Sequence, residues 1–234
     1  MTARRTLIQR AQRPRAMTVL LYGLDLSHYV VKVKRVLAYK GIPFQFEYAP
    51  YHDRQDLLAV SGQDYVPYLL WEDQGVTWSE IPDFLEKKVP TPTIYPKGQR
   101  HVARMLDSWA HDVVEEMVWR VVAPDARKTF KDPKEAWVFE ELQMRKRGDL
   151  DEMMLFKQKH TKAMIATLKP AEERLAESAF LLGDEPSLAD FALYGATNPL
   201  PYTGNPIPRE LPHIKAWRER VEKIAPVERH QNEK

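Results

Sequence analysis

Ser27 is the residue whose type and setting most directly suggest chemistry. It stands just ahead of a helical pattern, with Val30, Val33, Val36 and Leu37 on one face and Lys32, Lys34 and Arg35 around the other. A serine there lies at a helix N-terminus, where free N–H groups and the positive end of the dipole favour an anion. The alternative role is a plain N-cap. Val66-Pro67 comes second: a cis bond there would be the minor form and a retained feature, leaving the Val66 backbone open to an extended ligand. Ser187 and Asp190 come third, spaced as a capping box that satisfies first-turn N–H groups, so their role is folding and not catalysis. His52 and Arg54 follow a strand-like segment, where they could meet a carboxylate or stay solvated.

Other chemistries are excluded or unsupported. The 234 residues contain no cysteine, so a disulfide framework, a thiolate metal site, a CxxC pair and a cysteine nucleophile are ruled out. No two histidines stand at HxH or HxxxH spacing, and no metal is expected. There is no G-x-S-x-G and no Gly-rich phosphate loop. The pairs Glu115-Glu116, Glu140-Glu141 and Glu172-Glu173 read as solvated helix faces, and Arg145–Arg147 as a short charge cluster without nucleic-acid logic. Trp109 and Trp119 read as core packing.

The formal charge of +2 divides unevenly. Arg4, Arg5, Arg10, Arg13 and Arg15 supply five positive charges within residues 1–16, which leaves residues 17–234 at −3. The first segment reads as a basic disordered tail, or as an over-long start ahead of Met17. No apolar run reaches the ~18–20 residues of a membrane span, so a cytoplasmic protein without membrane or nucleic-acid partners is expected.

The elements that must position these residues follow from periodicity. Thr18–Tyr22 and Phe44–Tyr48 read as strands, and the helix after Ser27 is stopped by Gly41 and Pro43. Gln55–Val60 reads as a short helix, Val66–Trp71 and Val76–Trp78 as a hairpin turning at residues 73–75, and residues 79–88 as a helix. Pro90, Pro92 and Pro96 make a stiff linker over residues 89–98. Beyond it, apolar pairs from Met105/Leu106 to Val121/Val122 recur every four residues, a stripe helix ended by Pro124. Helices are further expected over about 134–147, 152–179 with a break near Pro170, 187–197 and 213–224. The expected organisation is an α/β domain over 17–88, the linker, an all-α domain over 99–226 and a C-terminal tail over 227–234.

Three segments carry a family resemblance. Leu21-Tyr22 followed by Ser27-His28-Tyr29-Val30-Val31-Lys32-Val33-Lys34, then Val66-Pro67, and above all Leu181-Leu182-Gly183-Asp184-Glu185-Pro186-Ser187-Leu188-Ala189-Asp190 resemble the glutathione transferase superfamily. The resemblance spans roughly residues 18–224. It implies a thioredoxin-like domain joined to a helical one, a homodimer, and glutathione as co-substrate. It further implies Ser27 as the residue that donates to the glutathione sulfur, with Tyr22 as second choice. Val66 and Pro67 would pair with the cysteinyl backbone, Ser79 and Glu80 would hold the γ-glutamyl end, and His52 the glycyl carboxylate. Tyr29 and His111 would line the pocket of a small apolar electrophile. The sequence departs from the usual pattern at His28, where proline is frequent, and at Thr77–Ile81, where an acid normally precedes the serine. The implied function is a serine-type glutathione transferase active in detoxification; the alternative is a non-catalytic binding or regulatory protein of the same fold.

Overall fold

The computed structural model describes residues 19–227. The basic segment 1–16 and residues 228–234 of the expected C-terminal tail lie outside them. The chain runs β1 (Val19–Gly23), α1 (His28–Tyr39), β2 (Gln45–Tyr48), α2 (Gln55–Ser61), β3 (Tyr68–Trp71), β4 (Gln74–Thr77) and α3 (Ile81–Lys88). After the proline-rich segment come α4 (Arg100–Trp109), a π-helical turn (Ala110–Val114), α5 (Glu115–Ala126), α6 (Pro133–Arg147), α7 (Leu150–Leu155), α8 (Lys157–Glu177), α9 (Leu188–Thr197), α10 (Pro199–Tyr202) and α11 (Pro212–Ile224).

The four strands form one sheet in the order β2-β1-β3-β4. β1 pairs parallel with β2, while β1–β3 and β3–β4 are antiparallel. Side chains alternate between faces. Leu21, Leu69 and Val76 therefore join α1 and the helical half in one continuous core. Tyr22 and Tyr68 point the other way and close over Leu57 of α2 in a small second cluster. The register has a direct consequence. Gly23 pairs with Tyr48, Tyr22 with Tyr68, and Tyr68 with Thr77. The loops carrying Ser27, His52, Val66 and Ser79 therefore all leave one end of the sheet.

Four local expectations need correction. The hairpin turns at Glu72-Asp73, with Glu72 at φ 54°, so Gln74 and Gly75 belong to β4. Pro124 lies inside α5 and not at its end. An interior proline costs a helix about 3 kcal/mol, but residues 121–124 and Ala126 are buried and their packing offsets that loss. Pro170 likewise lies inside α8, because Met164, Leu168, Ala171 and Leu175 keep one buried stripe in phase across it; the break comes at Phe156. Finally, Lys32, Lys34 and Arg35 are buried, because the polar face of α1 is covered by the helical half.

These cations are held by specific bonds, some to the helical half and some within the first. Lys32 Nζ lies 2.7 Å from Asp107 Oδ1 of α4, and Arg35 Nη2 donates to the Tyr194 hydroxyl of α9 at 2.9 Å. Lys34 pairs with Asp25. Lys40 Nζ, at the end of α1, reaches Glu86 of α3 at 2.6 Å and the carbonyls of Val89 and Pro92 at 2.7 and 2.8 Å, which ties the proline-rich segment to α1. Lysine ammonium groups this buried persist only when paired.

Candidate functional site

The β1–α1 connection is built around Gly23 and Ser27. A Cβ on Gly23 would lie 2.6 and 2.7 Å from the two methyls of Val30, so only glycine lets the first turn of α1 pack this close to the strand. Ser27 is half-buried at the N-cap with extended backbone (φ −74°, ψ 119°), and its carbonyl accepts the first helical bond from Val31 at 3.0 Å. Its hydroxyl makes no capping bond. Ser27 and the first turn of α1 thus lie at the end of the sheet where the other loops leave it. Tyr22 is buried against Tyr68 and Leu57, which removes it from that surface.

The Val66–Pro67 bond is cis, and among the described residues no hydrogen bond engages the Val66 backbone. Ser79 and Glu80 are exposed at the start of α3, and neither side chain caps it. His52 is turned toward the helical half, with Nε2 3.3 Å from Asp132 Oδ2. The same loop is held by Glu135, which accepts from the Tyr48 hydroxyl at 2.7 Å and the Tyr51 N–H at 2.9 Å. His52 therefore sits with the N-terminus of α6, while Ser27, Tyr29 and the segment after β4 lie together.

Tyr29 and His111 do meet. The Tyr29 hydroxyl is hydrogen-bonded to His111 Nε2, and the ring centroids are 4.1 Å apart. Trp78 closes on both, 4.8 Å from Tyr29 and 5.7 Å from His111. His111 comes from the π-helical turn, a device frequent at functional sites because the extra residue per turn re-aims side chains. His28 lies behind, its Nε2 2.9 Å from His111 Nδ1. Burial, then the neighbouring His111 and the cations Lys32, Lys146 and Arg147, holds His28 well below the usual imidazole range. His111 is lowered by burial as well.

Glu115, expected on a solvated face, is buried. Its Oε1 accepts from Arg147 Nη2 at 2.8 Å, and Lys146 Nζ lies 3.7 Å from its Oε2. Glu172 is likewise buried and accepts the backbone N–H of His213 and Ile214 at 2.9 and 2.8 Å, capping α11. The sequence reading missed Glu115, Trp78 and any role for His28. The available signal was the i, i+4 pair His111/Glu115 beside an otherwise apolar stripe.

Asp190 behaves as a fold element. It is fully buried; Oδ2 accepts from Ser187 N and Oγ at 2.9 and 2.7 Å, Oδ1 from Leu181 N and Trp217 Nε1 at 2.9 Å each. The capping box is complete. Burial nonetheless pushes its carboxyl upward against those bonds. Among the described residues no three of His, Asp and Glu converge as a metal site, and no helix is long and apolar enough to cross a membrane. A cavity of about 270 Å³ does lie between the halves, lined by Asp25, Arg35, Tyr194 and Glu222, but without Ser27, Tyr29 or His111.

Comparison with known proteins agrees with this architecture. Residues 21–93 match the glutathione S-transferase N-terminal domain and residues 155–224 its C-terminal domain. No curated protein matches the chain significantly. Among solved structures it is similar to the glutathione transferase GSTFuA3 from Phanerochaete chrysosporium (16% identity, TM-score 0.78, covering 91% of this chain and 100% of that one). It is also similar to the glutathione S-transferase CsGST63524 of Ceriporiopsis subvermispora in complex with glutathione (16%, 0.76, 90% and 98%). Glutaredoxin 2 from Salmonella typhimurium, also in complex with glutathione, follows at 16% identity and TM-score 0.71, covering 92% and 97%. A thioredoxin-like sheet carries the first matched domain and an all-helical bundle the second, and the chain belongs to the glutathione S-transferase superfamily.

Proposed function

We propose that the protein is a cytoplasmic glutathione transferase of the serine type. The observation that carries this reading is the uncapped Ser27 hydroxyl at the N-terminus of α1. A hydroxyl donor, first-turn amides and a helix dipole together favour a thiolate, and thiol pKa values fall from about 8.5 by one or more units in such settings. The protein needs no cysteine, because glutathione brings the sulfur. Val66, with an unengaged backbone ahead of Pro67, pairs with the cysteinyl part; Ser79 and Glu80 receive the γ-glutamyl end. His52 would serve the glycyl carboxylate only by leaving Asp132.

The thiolate then attacks a small apolar electrophile seated against Tyr29, Trp78 and His111. A homodimer fits the same reading. Its support is apolar exposure on α4 and the π turn, where Met105 is 64% exposed and Val102 and Val113 also face out. Detoxification is the role such chemistry serves.

Calorimetric titration with glutathione tests the proposal, followed by conjugation of a model electrophile by the wild type and Ser27→Ala. Binding, with turnover that collapses in Ser27→Ala, is the expected result. Absence of binding at millimolar glutathione would favour a non-catalytic member of the fold, and unaffected turnover in Ser27→Ala would remove Ser27 from the mechanism.

A further inference from the structure

The corner between α7 and α8 presents three large apolar side chains in a row to the outside. Leu155 is 77% exposed, Phe156 44% and Met154 40%, and none of them belongs to the hydrophobic core. Helix geometry explains why. α7 buries Leu150 and Met153 on one face, and α8 buries Met164, Leu168, Ala171 and Leu175 on another. The helical path is interrupted at Phe156 (φ −97°, ψ 16°), so residues 154–156 fall outside both buried stripes. A contiguous run of exposed apolar residues marks an interaction surface, where single scattered ones do not.

The chemistry around that run is basic. An open depression of about 590 Å³ is lined by Met154, Leu155 and Phe156 together with Lys157, Lys159 and Lys162, and by no acid. Lys157 is engaged, with Asp125 Oδ2 at 2.7 Å and Asn205 Oδ1 at 2.8 Å. Lys159 Nζ lies 6.0 Å from the Phe156 ring centre, and neither it nor Lys162 forms an ion pair among the described residues. Of the acids on α7, Asp149 caps the helix through the N–H groups of Asp151 and Glu152 at 2.7 and 3.1 Å, and Asp151 lies 3.9 Å from Arg127. His160, in the same turn as the lysines, is lowered by burial and then by Arg120 and Lys159, against the weaker pull of Glu152. The field over this turn is therefore positive.

We infer that the α7–α8 corner docks on a membrane surface rich in anionic phospholipid. Leu155 and Phe156 enter the boundary between headgroups and acyl chains, while Lys159 and Lys162 stay at the level of the phosphates. A wholly apolar partner would leave the lysine charges unpaired, and a wholly hydrophilic one would leave the three apolar chains in water. The basic segment 1–16, with Arg4, Arg5, Arg10, Arg13 and Arg15 and no acid, supplies further charge of the sign that an anionic surface attracts. One weak signal gives only marginal attachment, and a second makes it stable. A contact of this kind needs no membrane-spanning helix, so the lack of one among the described residues does not oppose it. The expectation of a protein without membrane partners rested on span length alone. The contact is also independent of the proposed glutathione chemistry, since Ser27, Tyr29 and His111 take no part in it.

Cosedimentation of the full chain with lipid vesicles tests the inference. Vesicles of phosphatidylcholine alone are compared with vesicles of equal parts phosphatidylcholine and phosphatidylglycerol. The proteins are the wild type, Leu155→Ser/Phe156→Ser and Lys159→Gln/Lys162→Gln. The wild type should bind the mixed vesicles and not the neutral ones, and less tightly as salt rises. Each lysine near an anionic surface contributes about fivefold in partition, so the lysine variant should bind at least about tenfold more weakly. The apolar variant should lose a comparable factor. Thermal midpoints should match the wild type in both, because all four side chains are exposed. Absence of wild-type binding to the mixed vesicles overturns the inference. Binding that either variant retains in full overturns it as well, and retention by both would assign the contact to segment 1–16. Self-association that Leu155→Ser/Phe156→Ser abolishes, without any vesicle binding, would overturn it in favour of a second copy of this chain as the occupant.

Discussion

Gly195 of α9 faces the backbone carbonyl of His28 so closely that a Cβ at Gly195 would fall under 3.0 Å from that oxygen, with Lys32 N at 3.3 Å. The first turn of α1, which carries Ser27, His28 and Tyr29, is thus seated directly on a helix of the other half. Gly195→Ala must push α1 away from α9, since the obstacle is backbone and cannot rotate aside. Overpacking of this kind costs about 1–3 kcal/mol. Urea denaturation should show that loss, and glutathione affinity should fall with it. Undiminished stability would mean that the two helices are not packed this tightly.

Ser27→Ala removes a donor to a charged sulfur. Hydrogen bonds to charged groups contribute about 1.5–3 kcal/mol, which corresponds to roughly 10- to 150-fold in rate. The pKa of enzyme-bound glutathione, read from thiolate absorbance, should rise by one unit or more. Because the hydroxyl makes no capping bond, thermal stability should change little. A large drop in Tm with normal thiolate formation would assign Ser27 to folding.

Asp190→Ala orphans Ser187 N, Leu181 N and Trp217 Nε1, all buried. Each unsatisfied buried donor costs about 1–3 kcal/mol, so a loss of at least about 3 kcal/mol is expected, with a change in tryptophan near-ultraviolet circular dichroism from Trp217. Activity per folded molecule should persist at low temperature. Loss of activity without loss of stability would give Asp190 a chemical role that its surroundings do not support.

His28 gives a pH signature with a definite sign. Its folded pKa lies well below that of the unfolded chain, near 6.5, so the unfolded state binds the extra proton in that window. Stability from a neutral His28 is complete above about pH 6.5 and is lost as pH falls toward the depressed folded value. Glu115, raised by burial, acts with the opposite sign and loses stability as pH rises. The difference between wild type and His28→Gln isolates the histidine. It should shrink as pH is lowered from 7 to 5 in denaturation curves; a difference that is flat across this range would mean that His28 is protonated freely in the fold.

Much of the architecture was legible in short-range pattern. Gly41 and Pro43 end α1, Ser187 and Asp190 start α9, and both signals depend on one turn of backbone. Where longer reach decided, the pattern misled. Pro124 and Pro170 looked like breaks, yet each sits in a helix whose neighbouring side chains are buried on a common stripe. The turn at Glu72-Asp73 was misplaced because Asp-Gln-Gly looked the stronger turn text, while cross-strand pairing of Leu70 with Gly75 fixes the register.

The same division holds for the site. Local spacing was enough to put Ser27 at a helix start, to make Asp190 a cap, and to bar every cysteine-based chemistry, since each depends on residue type and near neighbours. Burial and convergence were beyond it. Tyr29 and His111 are 82 positions apart, and Arg147 meets Glu115 across 32. Lysines on the polar face of α1 became interior groups, and a glutamate of a supposed solvated pair became the buried acceptor of Arg147. Helix periodicity tells which residues share a face, but which faces meet is set by how whole elements bury their apolar surface against one another.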